Sequence, residues 1–336
     1  MFCGSKSLDF RTTWRTKKLC TVSPGSRFSE TGETSFTSVM RAMSASKRLR
    51  RSVLISAPMC SYTFFFVIGF FITKALFKPE AGVPWGEEEG EVLSFFSGRN
   101  TLEGRLINKE GNKGTVIFAH GMGLSSHYYR PEVLHFAELG YRVFIFEYRG
   151  YGKSTGTFLS FRDVVKDLVA SASFLGHEDI ILVGHSMGGY GVLSAIDDLR
   201  DKIKGVVAYA PFRSPFTAMD VCALRMGIIG RILEVFLIPF QYLLHGTKAN
   251  KSVIKSINNS PVPILILQGN EDKEVTLDGC SVVKKSQLLH NPLSRIKIID
   301  KEGSNGHVSI VRKKGSQDIN EDTMAIVDGF LCEIRP

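Results

Sequence analysis

Ile180-Ile-Leu-Val-Gly-His-Ser-Met-Gly-Gly189 sets a β-branched apolar run against a glycine-flanked serine, and a helix-forming segment, Gly189 to Asp198, follows at once. The pattern reads as a strand that turns sharply into a helix with one hydroxyl, Ser186, at the bend. Such a turn needs the glycines at 184 and 188, because it leaves no room there for a Cβ. It holds the Ser186 Oγ at the positive end of the following helix, where negative charge is stabilised.

Working outward, short apolar runs at 115–119, 142–147, 205–209, 262–267 and 296–299 predict buried strands. Segments 128–139, closed by Gly140, and 161–174, capped at Ser160, predict helices, as do 277–289 and 321–333. Residues 92–96 and 102–108 predict a strand pair joined by a polar turn. Apolar strands alternating with amphipathic helices give a mostly parallel sheet covered on both faces, an α/β domain over 91–336.

Residues 213–258 break that alternation. The run 226–244 is apolar on nearly every face, but Arg231, Glu234 and Pro239 oppose a membrane span, which would also divide one sheet. A small helical cap is expected instead. Its apolar faces are expected either to line an acyl or aryl pocket, with the cap also able to touch lipid, or to serve as ordinary core.

The 336 residues carry a net charge of +9. Residues 1–78 hold 13 Lys/Arg and 3 Asp/Glu, so the remainder is close to neutral and gives no charge support for nucleic-acid binding. Residues 1–51, rich in Ser, Thr, Arg and Lys, read as a disordered basic leader or an organellar transit peptide; alternatively Met40 or Met43 is the true start. Between Arg51 and Lys74 lie 22 residues without a charge, enough for a bilayer span. A transmembrane anchor over 52–77 is expected, since a core helix would show a polar face and no small-x-small cleavage site follows. Arg41, Lys47, Arg48, Arg50 and Arg51 precede the run, which leaves the N-terminus cytoplasmic and the globular part on the far side. Residues 78–90 read as a linker. Six scattered cysteines have neither disulfide-framework nor metal-ligand spacing, and neither metal nor cofactor is expected.

In such sheets the reactive groups collect in loops after the strands' C-terminal ends. Those loops are His120-Gly-Met-Gly-Leu-Ser125, the bend at Ser186, Gln268-Gly-Asn-Glu-Asp-Lys-Glu-Val275 and Gly303-Ser-Asn-Gly-His307. A hydroxyl nucleophile needs a base, and the base needs an acid to hold its tautomer. The loops supply them in the order Ser, Asp, His. Gly150-Tyr-Gly-Lys-Ser154 lacks the spacing of a phosphate loop.

HGMG, EYRGYGKS at 147–154, GHSMGG, QGNEDKEV and the late GH at 306–307 together resemble the α/β-hydrolases, in the monoacylglycerol-lipase and serine-aminopeptidase-like branch. The resemblance covers about 91–334. It implies Ser186 as nucleophile, His307 as base, Asp272 as acid, and the amides of Met122 and Met187 as oxyanion hole. Glu271 and Glu274 are the neighbouring alternatives to Asp272. His120, His185, Arg149 and Tyr151 are expected to be structural, and Glu147 stands where many relatives have Asp. The expected activity is a membrane-anchored serine hydrolase acting on lipid, acyl or aromatic esters. Amide or peptide cleavage and a tethered, inactive binding protein are the rivals.

Overall fold

Strand β5, Ile180–His185, is buried at every position and lies in the middle of an eight-stranded sheet. The computed structural model describes residues 63–75, 85–86, 89–176, 179–313, 316 and 318–334. The leader at 1–51, the first half of the apolar run and most of the linker fall outside them.

The other strands are β1 Glu91–Ser97, β2 Asn100–Ile107, β3 Thr115–Ala119, β4 Arg142–Phe146, β6 Ile203–Tyr209, β7 Ile264–Gly269 and β8 Ser294–Ile299. Their order is β1-β2-β4-β3-β5-β6-β7-β8. The β1–β2 and β2–β4 pairs are antiparallel, and β4 through β8 run parallel. The central parallel strands are buried throughout and mostly apolar because both of their faces are covered.

Helix α1 spans Thr63–Ala75. It is followed by α2 Arg130–Glu138, α3 Phe161–Leu175, α4 Met187–Leu199, α5 Pro215–Arg225, α6 Gly227–His245, α7 Val253–Asn258 and α8 Glu321–Glu333. Helices α3 and α4 bury Val164, Leu168, Val192 and Ile196 on one face of the sheet. On the other, α2 and α8 bury Val133, Phe136, Val327 and Phe330. At the start of α3, Asp163 accepts the Ser160 amide at 3.1 Å while its own amide donates back to the Ser160 carbonyl. This is the cap expected at that position.

One expected helix is absent. The segment 277–289 forms a turn and then a 3₁₀ stretch, Val282–Leu288, with non-helical backbone at Lys285. Ser281 forms an isolated antiparallel bridge with Phe212 and Val282 is buried, so tertiary packing overrides the helical period. The helix expected from 128 begins as 3₁₀ at Ser126–Tyr129 before α2 takes over.

Helices α5 and α6 form the cap over the sheet's C-terminal edge, with Pro239 inside α6. By length and composition alone, Gly227–Asn258 would also cross a membrane. Against α6 lies α1: Phe66 meets Phe240 with ring centres 5.3 Å apart, and Phe65 meets Phe236 at 5.6 Å.

Candidate active site

The bend after β5 is strained. Ser186 has φ 55° and ψ −113°, a conformation side chains rarely adopt. A Cβ at Gly188 would stand 1.9 Å from the Ala119 carbonyl oxygen, and one at Gly184 would meet the Gly188 backbone at 2.5 Å. The two glycines are therefore required by close approach of backbone to backbone. The Ser186 amide donates to Tyr209 in β6 at 2.8 Å, which fixes the bend to the neighbouring strand.

Ser186 Oγ lies 3.0 Å from His307 Nε2, and His307 Nδ1 lies 2.8 Å from Asp272 Oδ2. A carboxylate only accepts, so Nδ1 carries the hydrogen and Nε2 is free to accept the serine's proton. Residues 186, 272 and 307 come from three loops, after β5, β7 and β8, and meet in series at the sheet edge. Asp272 is buried. Its Oδ1 accepts the amides of Glu274 and Val275, both at 2.8 Å, and its Oδ2 also accepts Gln268 Nε2 at 3.1 Å. Those donors hold the carboxylate in one orientation. Asp272, rather than Glu271 or Glu274, thus sits at Nδ1. Glu274 reaches the opposite nitrogen, with its Oε2 3.5 Å from Nε2.

A buried chain of neutral groups supports this series. The Gly121 amide donates to Tyr129 Oη at 3.1 Å, Tyr129 Oη lies 2.7 Å from His185 Nδ1, and His185 Nε2 lies 2.9 Å from the His307 carbonyl. A carbonyl cannot donate, so Nε2–H is the His185 donor and Nδ1 accepts the tyrosine hydroxyl. Burial pushes the His185 imidazolium down to about 3, reinforced by His307 alongside, so the ring stays neutral. The chain ties the loop after β3 to the loop of His307 through the residue beside Ser186. His120 is likewise buried, donates Nδ1–H to the Gly121 carbonyl at 2.9 Å, and is depressed by desolvation. Glu147 accepts the Ser126 amide at 2.8 Å, which closes the same loop onto β4. Arg149 pairs with Asp163 and Asp167, and Tyr151 is core. His120, His185, Arg149 and Tyr151, expected to be structural, each make packing or hydrogen-bond contacts of this kind.

Sequence reasoning missed Tyr129, Gln268 and the buried pair Arg312–Glu132, whose Nε and Nη2 atoms each lie 3.0 Å from a carboxylate oxygen. Arg312 also lies over the Tyr128 ring at 4.1 Å, so the loop carrying His307 is fastened to α2. Tyr129 to His185 and Arg312 to Glu132 span 56 and 180 residues, whereas Gln268 lies only four residues from Asp272 and was overlooked within its own loop.

Ser186 opens into a cavity of about 150 Å³ beneath the cap. Met122 and Met187 line it beside Ser186, with Met219, Leu233 and Leu237 among the apolar residues of its wall. Among the described residues, its charged lining is Glu234 and Glu274 alone. The arrangement is suited to removing a hydroxyl proton beside an apolar acyl or aryl group.

Residues 110–261 match the family of serine aminopeptidases, S33. The chain is 29% identical over 266 residues to the uncharacterized protein YfhR of Escherichia coli K12, covering 75% of this chain and 84% of YfhR. Against YfhR of E. coli O157:H7 the match covers 56% of this chain and 64% of the relative. The uncharacterized membrane protein YNL320W of Saccharomyces cerevisiae is 29% identical over 180 residues, covering 52% of this chain and 59% of that protein. Among solved structures, the Pyrococcus furiosus esterase Pf2001 superposes with a TM-score of 0.58 at 21% identity, over 76% of this chain and 98% of the esterase. That likeness is one of fold.

Proposed function

We propose that the chain is a serine hydrolase of the α/β-hydrolase superfamily that cleaves carboxylic esters through an acyl-enzyme, a reading supported by the family match over 110–261 and by the fold. Ser186 Oγ attacks the ester carbonyl carbon as His307 Nε2 takes its proton. Asp272 holds the tautomer and stabilises the imidazolium. The oxyanion is received by the amides of Met122 and Met187, the second lying at the N-terminus of α4. The imidazolium returns its proton to the leaving alkoxide, and His307 then activates water to release the acid. The observation that carries this reading is the unbroken series Ser186–His307–Asp272, at 3.0 and 2.8 Å, on a strained bend beside an apolar cavity.

The reading includes a membrane tether over 52–77, a linker over 78–90 and a catalytic domain over 91–336 with its cap at about 213–258. The N-terminus is cytoplasmic and the domain lies on the other side. The uncharged run supports the tether, in keeping with a yeast relative described as a membrane protein. Protease added to sealed vesicles should reach the domain only from the non-cytoplasmic side; digestion from the cytoplasmic side alone overturns the orientation.

A fluorophosphonate probe tests the chemistry. It should label the folded protein at Ser186, and Ser186→Ala should abolish labelling and lower ester hydrolysis by about 10³-fold or more. An unlabelled, folded wild type would instead favour a tethered binding protein. Amide cleavage is the second reading, favoured by the serine aminopeptidase match. A panel of acyl esters beside amino-acid amides separates the two.

A further inference from the structure

We propose that the outer faces of α1 and α6 form one surface embedded in a lipid bilayer, and that the ester reaching Ser186 is a membrane-resident lipid whose acyl chain fills the cavity behind α6. The substrate part rests on the hydrolase reading above; the surface part does not.

Helix α1 is apolar on two faces. Gly69 and Thr73 are buried, and Gly69 sits so close to Phe240 that a Cβ would meet it at 2.4 Å. Phe64, Val67 and Phe71, at positions i, i+3 and i+7, point away and are 54, 45 and 64% exposed. Thirteen residues do not cross a bilayer, but the sequence is uncharged from Ser52 to Thr73, 22 residues, of which α1 is the C-terminal part.

Helix α6 has the same two-sided character. Gly230, Leu233 and Leu237 line the cavity. On the other side, Ile228, Ile229, Ile232 and Val235 are 75, 61, 53 and 60% exposed. The cation on that side, Arg231, is neutralised by Asp220 at 2.6 Å and Glu234 at 2.7 Å, which lowers the cost of placing it near lipid. Such a contiguous apolar surface is unfavourable in water. What covers it follows from its neighbour: α1, which carries the C-terminal half of the uncharged run, packs along α6 through Phe66 on Phe240, so a bilayer that receives the run also meets α6. A single helix then separates lipid from the cavity that Ser186 lines.

The test uses the full chain reconstituted in phosphatidylcholine vesicles. With Val235→Trp, tryptophan emission should shift to the blue and be quenched by phosphatidylcholine brominated on its acyl chains. A shift without quenching would mean that a second copy covers the face, and no shift would mean that water does; either overturns the surface. For the substrate, Ile232→Glu with Val235→Glu should lower hydrolysis of a long-chain ester held in the vesicles by about tenfold or more. Hydrolysis of a short-chain, water-soluble ester should stay within about twofold. Equal loss of both activities, or loss of neither, overturns the proposed lipid route, and the milder Val235→Gln serves if the double variant does not fold. If the unaltered chain hydrolyses no ester, the hydrolase reading fails while the quenching result still decides the surface.

Discussion

His185 Nε2 donates to the carbonyl oxygen of His307 at 2.9 Å, so the residue beside the bend serine supports the backbone of the imidazole that faces it. Through Tyr129 the same ring reaches the Gly121 amide in the loop after β3. Three loops are thereby held by uncharged groups whose donors and acceptors all match, and a buried network of this kind is stiff only while every member is paired.

Tyr129→Phe should therefore matter although Tyr129 touches no substrate. It leaves a buried amide and an imidazole nitrogen unpaired, at a cost of about 1–3 kcal/mol each. The fluorophosphonate labelling rate should fall about tenfold or more, with kcat affected more than KM. Labelling at the wild-type rate would remove the positioning role.

Acid should weaken the fold through His185. Its folded value of about 3 lies below the ordinary 6.5, so the unfolded state binds the proton first. Its contribution is complete above about pH 6.5 and is lost as pH falls toward 3, at up to about 1.4 kcal/mol per pH unit. Urea titrations between pH 7 and 4 should show this slope, reduced in His185→Gln. Equal slopes in the two proteins would contradict it.

Asp272→Asn should lower kcat by about 10³–10⁴-fold, because the amide no longer fixes the His307 tautomer. Glu274→Gln, altering a carboxylate on the solvent side of Nε2, should cost no more than about tenfold. A reversed ranking in steady-state kinetics would move the acid from 272 to 274.

Gly188→Ala should prevent normal folding, since its methyl would stand 1.9 Å from a main-chain oxygen that cannot yield, with a penalty above about 3 kcal/mol. Gly98→Ala is the contrast: φ is +62° but nothing lies within 4 Å, so about 1 kcal/mol is expected. Thermal melts of the two variants make the comparison.

Arg312→Ala should destabilise by about 3–5 kcal/mol, because Glu132 is left buried without its partner. The pair Arg312→Met with Glu132→Leu should regain most of this in denaturant melts. A double variant no better than the single would place the loss in packing over Tyr128 instead.

The strands and the bend were legible because short apolar runs and paired glycines act locally. The bend's glycines answer to two close approaches, 188 against Ala119 and 184 against the Gly188 backbone, both implicit in the tight turn. The series 186–307–272 was legible as a loop order, and its acid was named by resemblance among three neighbouring carboxylates. Segment 277–289 misled because its helical period is overruled by the bridge at Ser281. Tyr129 and Arg312 were invisible because His185 and Glu132, the partners that give them meaning, are remote in sequence, while Gln268 faces Asp272 across a loop turn that no periodic pattern marks.

The acidic lining of the cavity has a kinetic consequence. If Ser186 cleaves an ester as proposed, a neutral acyl group becomes an anion beside Glu274, with no cationic side chain on the cavity wall among the described residues. The new acid would then be repelled by a carboxylate that its neutral precursor does not feel, and turnover should escape inhibition by its own product.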